Sequence, residues 1–173
     1  MRGLSRREFM ALTGLTTPVF DARARRQQFP WGFGAPRGRA GKWYGVHWAL
    51  LNCTADAFHG ELGIPLTAAM KVALSISDVM WPRLADVHRT ASDVTAGREP
   101  EHIMCGGYRW GAAWYPVCGT LAEILAQRQL GLTASGAIAI VSMTEAAALL
   151  IRRADAAGID IGEVWGTVGP AVD

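Results

Sequence analysis

Cysteine is scarce. The 173 residues hold three, Cys53, Cys105 and Cys118, with no Cys-x-x-Cys pair. This excludes a disulfide framework and gives no zinc spacing, so reduced, partly buried thiols are expected. No window of eighteen consecutive apolar residues exists, which argues against a membrane-spanning helix. Glycines at 32, 34, 38 and 41 are not followed by Lys-Ser/Thr, so a phosphate-cradling loop is excluded. His59-Gly60-Glu61 and Pro116-Val117-Cys118 resemble part of a zinc deaminase pattern, but position 121, where its second cysteine belongs, is Leu121. No sustained heptads follow residue 67, and Pro82 interrupts the helical spacing. These absences leave no expected metal, cofactor or catalytic constellation, and no expectation of an enzyme.

Half of the residues are apolar, enough for a buried core. Charge is divided unevenly. Residues 1–44 carry nine Lys/Arg against Glu8 and Asp21, while the rest carries eight basic and thirteen acidic groups, so the formal +2 conceals a head of +7 on a body of −5. A basic head on an acidic body is expected when one end meets a polyanion, whether nucleic acid or a membrane surface.

Ser5 and Glu8 have the spacing of a capping box, and Leu4 with Phe9 that of a hydrophobic staple, so a helix should start at Ser5. Phe9, Met10 and Leu12 give it an apolar stripe, and Gly14 a stop. Thr17 as cap and Pro18 as first helical residue start a second helix, with Val19 and Phe20 inward and Asp21, Ala22 and Arg25 outward. A helix-turn-helix unit follows from this order. The stretch "FPWGFGAPRGRAGKWY", 29–44, reads as a hairpin wing with a cationic tip of Arg37, Arg39 and Lys42.

On these residues the chain resembles the MerR-type winged helix-turn-helix regulators. Glu8, Phe9, Leu12, Thr13, Gly14, Leu15, Thr16, Phe20, Phe29 and Pro30 meet that family's N-terminal pattern without a gap. Lys42-Trp43-Tyr44, a helix over about 47–60 and Leu62-Gly63-Ile64-Pro65-Leu66 stand where the family has its wing end, third helix and turn into a fourth. The resemblance covers about residues 4–75. It implies duplex DNA as partner, transcriptional regulation or the architectural role of a small phage-type winged-helix protein, a homodimer, and a cytoplasmic, nucleoid-associated location, with effector unspecified. By this reading Arg25 contacts a base edge or phosphate. Arg6, Arg7, Arg23, Arg26, Arg37, Arg39 and Lys42 bind phosphates. Thr17, Asp21 and Ala22 complete the DNA-facing set. Where the family usually places Arg and Tyr, this chain has Asp21 and Ala22; Asp21 would repel phosphate, yet can accept from a cytosine amino group. The family includes metal and redox sensors, but neither Cys105 nor Cys118 ends a dimerising helix.

Two other readings stay open. Arg6-Arg7, the run 10–20 and Ala22-Arg23-Ala24 imitate a twin-arginine export signal, although the run holds three threonines and Pro18, and Arg25 and Arg26 follow the small-residue box. The weak Asp21/Ala22 face also fits a protein–protein adaptor with a degenerate winged helix.

Beyond the head, helical spacing runs from Thr67 until Trp81-Pro82 forces a break, and 91–101 reads as a polar linker or loop. Two short strands, joined at Gly106-Gly107 or bent at Gly111, precede a helix ending at Gly131, an apolar strand over 135–143, and a helix capped by Thr144 and stopped by Gly158. The expected fold is α+β: a winged helix-turn-helix at 1–75, a helix and linker at 76–101, and a small mixed α/β region at 102–173 for dimerisation or partner binding.

Overall fold

The Ser5 hydroxyl accepts from the Glu8 amide at 3.2 Å, and the Glu8 carboxylate accepts from the Ser5 amide at 2.7 Å. This reciprocal box opens α1 (Arg6–Thr13), and Gly14, at φ +71°, closes it. In the computed structural model residues 3–31, 37–38, 41–42, 44–110, 113–131 and 138–165 are described. The expectations placed on Gly32, Gly34, Arg39, Trp43 and Gly111 lie outside them.

Helix α2 (Thr17–Arg25) begins one residue earlier than expected: Thr16 is its N-cap and Pro18 its second residue. Amides of the whole first turn lack intrahelical partners, so proline is tolerated there too. Phe20 is buried, whereas Val19, expected to face inward, is 43% exposed. A nine-residue helix supported from one side has room for little more than a single inward anchor. It ends in a left-handed Gln27 (φ 56°), with the Gln28 amide donating to the Arg23 carbonyl.

Strands β1 (Arg37–Gly38) and β2 (Gly41–Lys42) form an antiparallel hairpin. Tyr44 then pairs with Leu4, exchanging both backbone hydrogen bonds at 2.7 and 2.9 Å. The segment after the hairpin is thereby tied to the residue before α1. Helix α3 (Val46–Leu62) ends at Gly63, φ +66°, and α4 (Leu66–Met80) follows Pro65.

At Trp81–Arg83 the chain tightens into one 3-10 turn, the expected break, and resumes as α5 (Leu84–Thr95). The supposed linker at 91–101 is therefore helical as far as Thr95. Its outward side is polar, but Ala91 is buried and Val94 packs against the core, which sustains the helix.

The second half is β3 (Ile103–Trp110), β4 (Ala113–Thr120), α6 (Leu121–Gly131), β5 (Ile138–Ser142), α7 (Met143–Ala157) and a short α8 (Gly162–Trp165). The sheet order is β4-β3-β5, antiparallel throughout. Gly106 and Gly107 lie inside β3 and are not its turn. A Cβ at Gly106 would collide with the Ala139 carbonyl oxygen, and one at Gly107 would meet the Trp114 indole, so these glycines permit close approach within the sheet.

Ser142, not Thr144, caps α7, accepting from the Glu145 amide at 3.1 Å. Thr144 is fully buried, and its hydroxyl accepts from the Ile103 amide at 2.9 Å. That hydroxyl lies 2.9 Å from the Thr90 hydroxyl, which donates to the Asp86 carbonyl at 2.9 Å, so one relay ties α5, β3 and α7 together.

Helices α1 and α3 both pack on α7, and α4 lies against β3 and β4. The core that starts at Leu4 and Phe9 runs through Leu50 and Phe58 to Val141, Leu150 and Trp165. Packing thus crosses residues 75 and 101, where the sequence pattern drew boundaries. The architecture is α+β, helices around a small antiparallel sheet.

Candidate nucleic-acid interface

Five aromatic side chains hold the first two helices in place. Phe9 meets Phe20 edge-on at 6.1 Å and Tyr44 at 4.8 Å, Phe20 lies 4.9 Å from Phe29, and Phe29 stacks on Trp31 at 4.5 Å. Such pairs add roughly 0.5–1.5 kcal/mol each beyond area burial. The angle between α1 and α2 is set by this cluster together with the Gly14 turn.

The basic residues of the head fall into groups with different surroundings. Arg6 forms an ion pair with Asp21 at 2.5 Å, and its guanidinium carbon sits 4.6 Å above the Phe20 ring. Both partners remain nearly half exposed. The acidic residue on α2 is thus neutralised within the protein.

Arg23 has turned inward. Its side chain, 14% exposed, meets Asp56 at 2.8 Å and the Asn52 side-chain oxygen at 3.4 Å, while the Asn52 amide donates to the other Asp56 oxygen at 3.1 Å. Burial pushes the Asp56 carboxyl above its ordinary value, and Arg23 opposes that shift. Arg23 therefore fastens α2 to α3.

Arg7, Arg25 and Arg26 are exposed, and among the described residues none ion-pairs or hydrogen-bonds with them. Thr17 is exposed at the start of α2, and Ala22 is half-buried. Arg37 and Lys42 stand opposite one another in the hairpin register, and Arg39 lies outside the described residues.

Sequence reasoning did not single out Asn52, Asp56 or Arg153. The Arg153 side chain, from α7, donates to the Leu12 carbonyl at 3.3 Å and lies against Gly14, where a Cβ would come within 2.6 Å of it. No local pattern marks the Arg23–Asn52 and Arg153–Leu12 contacts, whose partners are 29 and 141 positions apart. A cleft of about 360 Å³ opens between α1, α3 and α7, lined by Thr13, Asp56, Glu61, Glu145, Arg152 and Arg153 among others. It carries both signs of charge and adjoins the Arg23 anchor.

Among the described residues no three His, Cys, Asp or Glu side chains converge as metal ligands, and no helix is long and apolar enough to cross a membrane. His59, at the end of α3, is exposed with its Nδ1 2.8 Å from the Ile64 carbonyl oxygen. Compared with protein-family models, curated proteins and solved structures, the chain matches none.

Proposed function

We propose that the chain is a sequence-specific DNA-binding protein of the winged helix-turn-helix kind that regulates transcription or shapes DNA as a homodimer in the nucleoid. The observation that carries the reading is the state of the head's cations. On two helices locked about the Gly14 turn, Arg7, Arg25 and Arg26 are exposed and, among the described residues, unpaired, while the one acid of α2, Asp21, is neutralised by Arg6. Exposed guanidinium groups, with a hairpin bearing Arg37 and Lys42 later in the head, suit phosphate contacts, and the first turn of α2 offers amide groups to a phosphate oxygen. In this mechanism the basic head docks electrostatically, α2 enters a major groove with Arg25 foremost, and the hairpin rests on flanking backbone. Arg23 positions α2 from behind.

Selection of bound duplexes from a random pool tests the proposal, followed by mobility-shift titration of the recovered sequence in rising salt. With about four to six phosphates neutralised per half-site, the log–log slope of affinity against salt is expected near −4 to −5. Arg25→Ala should erase sequence preference, and Arg26→Ala should weaken all duplexes alike. Failure to bind any duplex in a salt-sensitive way would sink the reading. It would favour a second one, a protein–protein adaptor, for which the internal use of Arg6 and Arg23 is the supporting observation.

A further inference from the structure

Cys105 and Cys118 lie thirteen positions apart in sequence but are direct partners in the β3–β4 register. Their type of pairing follows from a proline. Pro116 stands opposite Gly107, and among the described residues β4 is an edge strand whose one neighbour is β3. Proline has no amide hydrogen, so it suits a position whose backbone groups point out of the ladder, which is a non-hydrogen-bonded pair. Pair types alternate along an antiparallel ladder, and Cys105↔Cys118 lies two positions further on. It is of the same type. The hairpin end gives the same parity: Trp110↔Ala113 flanks a two-residue connection, which makes it a hydrogen-bonded pair, and Cys105↔Cys118 is five steps away.

In non-hydrogen-bonded pairs Cα atoms are about 4.5 Å apart and side chains lean together on one face. Disulfides span Cα separations from about 4.4 to 6.8 Å, so the bridge needs little backbone movement. Both side chains share one face of the sheet. Cys105 is buried and Cys118 is partly exposed, so the pair has one thiol within reach of a reagent and one behind it.

We propose that Cys105 and Cys118 are a dithiol modification site that closes to a cross-strand disulfide by exchange with a small disulfide of the glutathione class. The Cys118 thiolate attacks one sulfur of the reagent, forming a mixed disulfide and releasing one glutathione thiolate. The Cys105 thiolate then attacks the Cys118 sulfur and expels the second. Two protein thiols lose two electrons, the reagent's sulfur–sulfur bond gains them, and the two protons end on the released thiols. Burial pushes the Cys118 thiol up to about 12 and raises Cys105 as well, with Cys118 close enough to contribute. Thiolate is therefore sparse near neutrality, and closure should quicken steadily as pH rises from 7 to 9. The third cysteine, Cys53, is buried on α3 and serves as an internal control.

The experiment treats the full chain with oxidised glutathione at pH 8.5, unfolds it in an alkylating agent, and maps the peptides by mass spectrometry. The expected product joins Cys105 to Cys118 and leaves Cys53 alkylated. Because the bridge closes a loop of roughly 15 residues, Tm should rise by on the order of 5–10 °C and return on reduction. In Cys105→Ala the reaction should halt at a glutathione adduct on Cys118, and in Cys118→Ser no bridge should form while the fold is retained. Alkylation of both Cys105 and Cys118 after treatment would overturn the proposal, as would a lasting glutathione adduct in the unsubstituted chain or a bridge that uses Cys53.

Discussion

His47 lies between the rings of Trp48 and Trp81, at 4.7 and 5.0 Å, and its Nδ1 finds no hydrogen-bond partner among the described residues. It lines a void of only about 10 Å³ beside Leu50, Leu84 and Trp165, which holds no more than about one water. Burial alone lowers its pKa from 6.5 to about 4. The neutral ring is therefore the form that the fold accepts. In the unfolded chain the imidazole takes up its proton near 6.5, so between pH 6.5 and 4 the unfolded state binds more protons, and stability falls as pH falls through that window. The loss should reach about 2 kcal/mol by pH 5, an order-of-magnitude figure from the size of the shift. Urea denaturation of the unsubstituted protein and His47→Phe at pH 7.5, 6 and 5 measures it. The two stability curves should converge as the pH drops. Parallel curves would show that His47 does not carry the effect.

At the scale of elements, helix ends separate what a sequence displays from what it hides. Gly14 and Gly158 both close helices at positive φ, +71° and +63°, where a Cβ costs about 1–2 kcal/mol. Space around Gly158 is open, whereas the Arg153 guanidinium lies against Gly14. Gly158→Ala should therefore lose about 1 kcal/mol, and Gly14→Ala more, because Arg153 must also leave the Leu12 carbonyl. The excess should vanish in an Arg153→Ala background; if it persists in thermal or urea unfolding, Arg153 is not its source. Both glycine stops were legible, as was the Ser5–Glu8 box, because each depends on residues within one turn of the chain. The start of α7 was not, since Ser142 and Thr144 are equal candidates until β3 places the Ile103 amide above Thr144. Nor was the continuation of α5 through Ala91 and Val94, whose burial is decided by distant partners. Likewise the sequence left Gly106-Gly107 and Gly111 as rival bends, and the Cys105–Cys118 pairing depends on which one turns.

The molecule as a whole joins the basic head to the rest through one core, through Arg153, and through the Arg23–Asp56–Asn52 cluster. The head's charge and its first two helices were readable from composition and spacing, but the inward turn of Arg23 was not, since Asp56 lies 33 positions from it. This division of labour has a measurable consequence. Arg25 is exposed, so Arg25→Ala should leave unfolding within about 0.5 kcal/mol of the unsubstituted chain, whatever it does to ligand binding. Arg23→Ala strands a half-buried carboxylate and should cost about 1–3 kcal/mol. Asp56→Asn in the Arg23→Ala background should recover part of that loss by removing the stranded charge. Because the core is continuous, helix content by circular dichroism and tryptophan fluorescence should follow the same transition in all three variants. If Arg23→Ala instead unfolds the head in a separate, earlier step, the aromatic cluster and the rest of the core are only loosely coupled. Arg23 and Asp56 would then be the principal fastening between them.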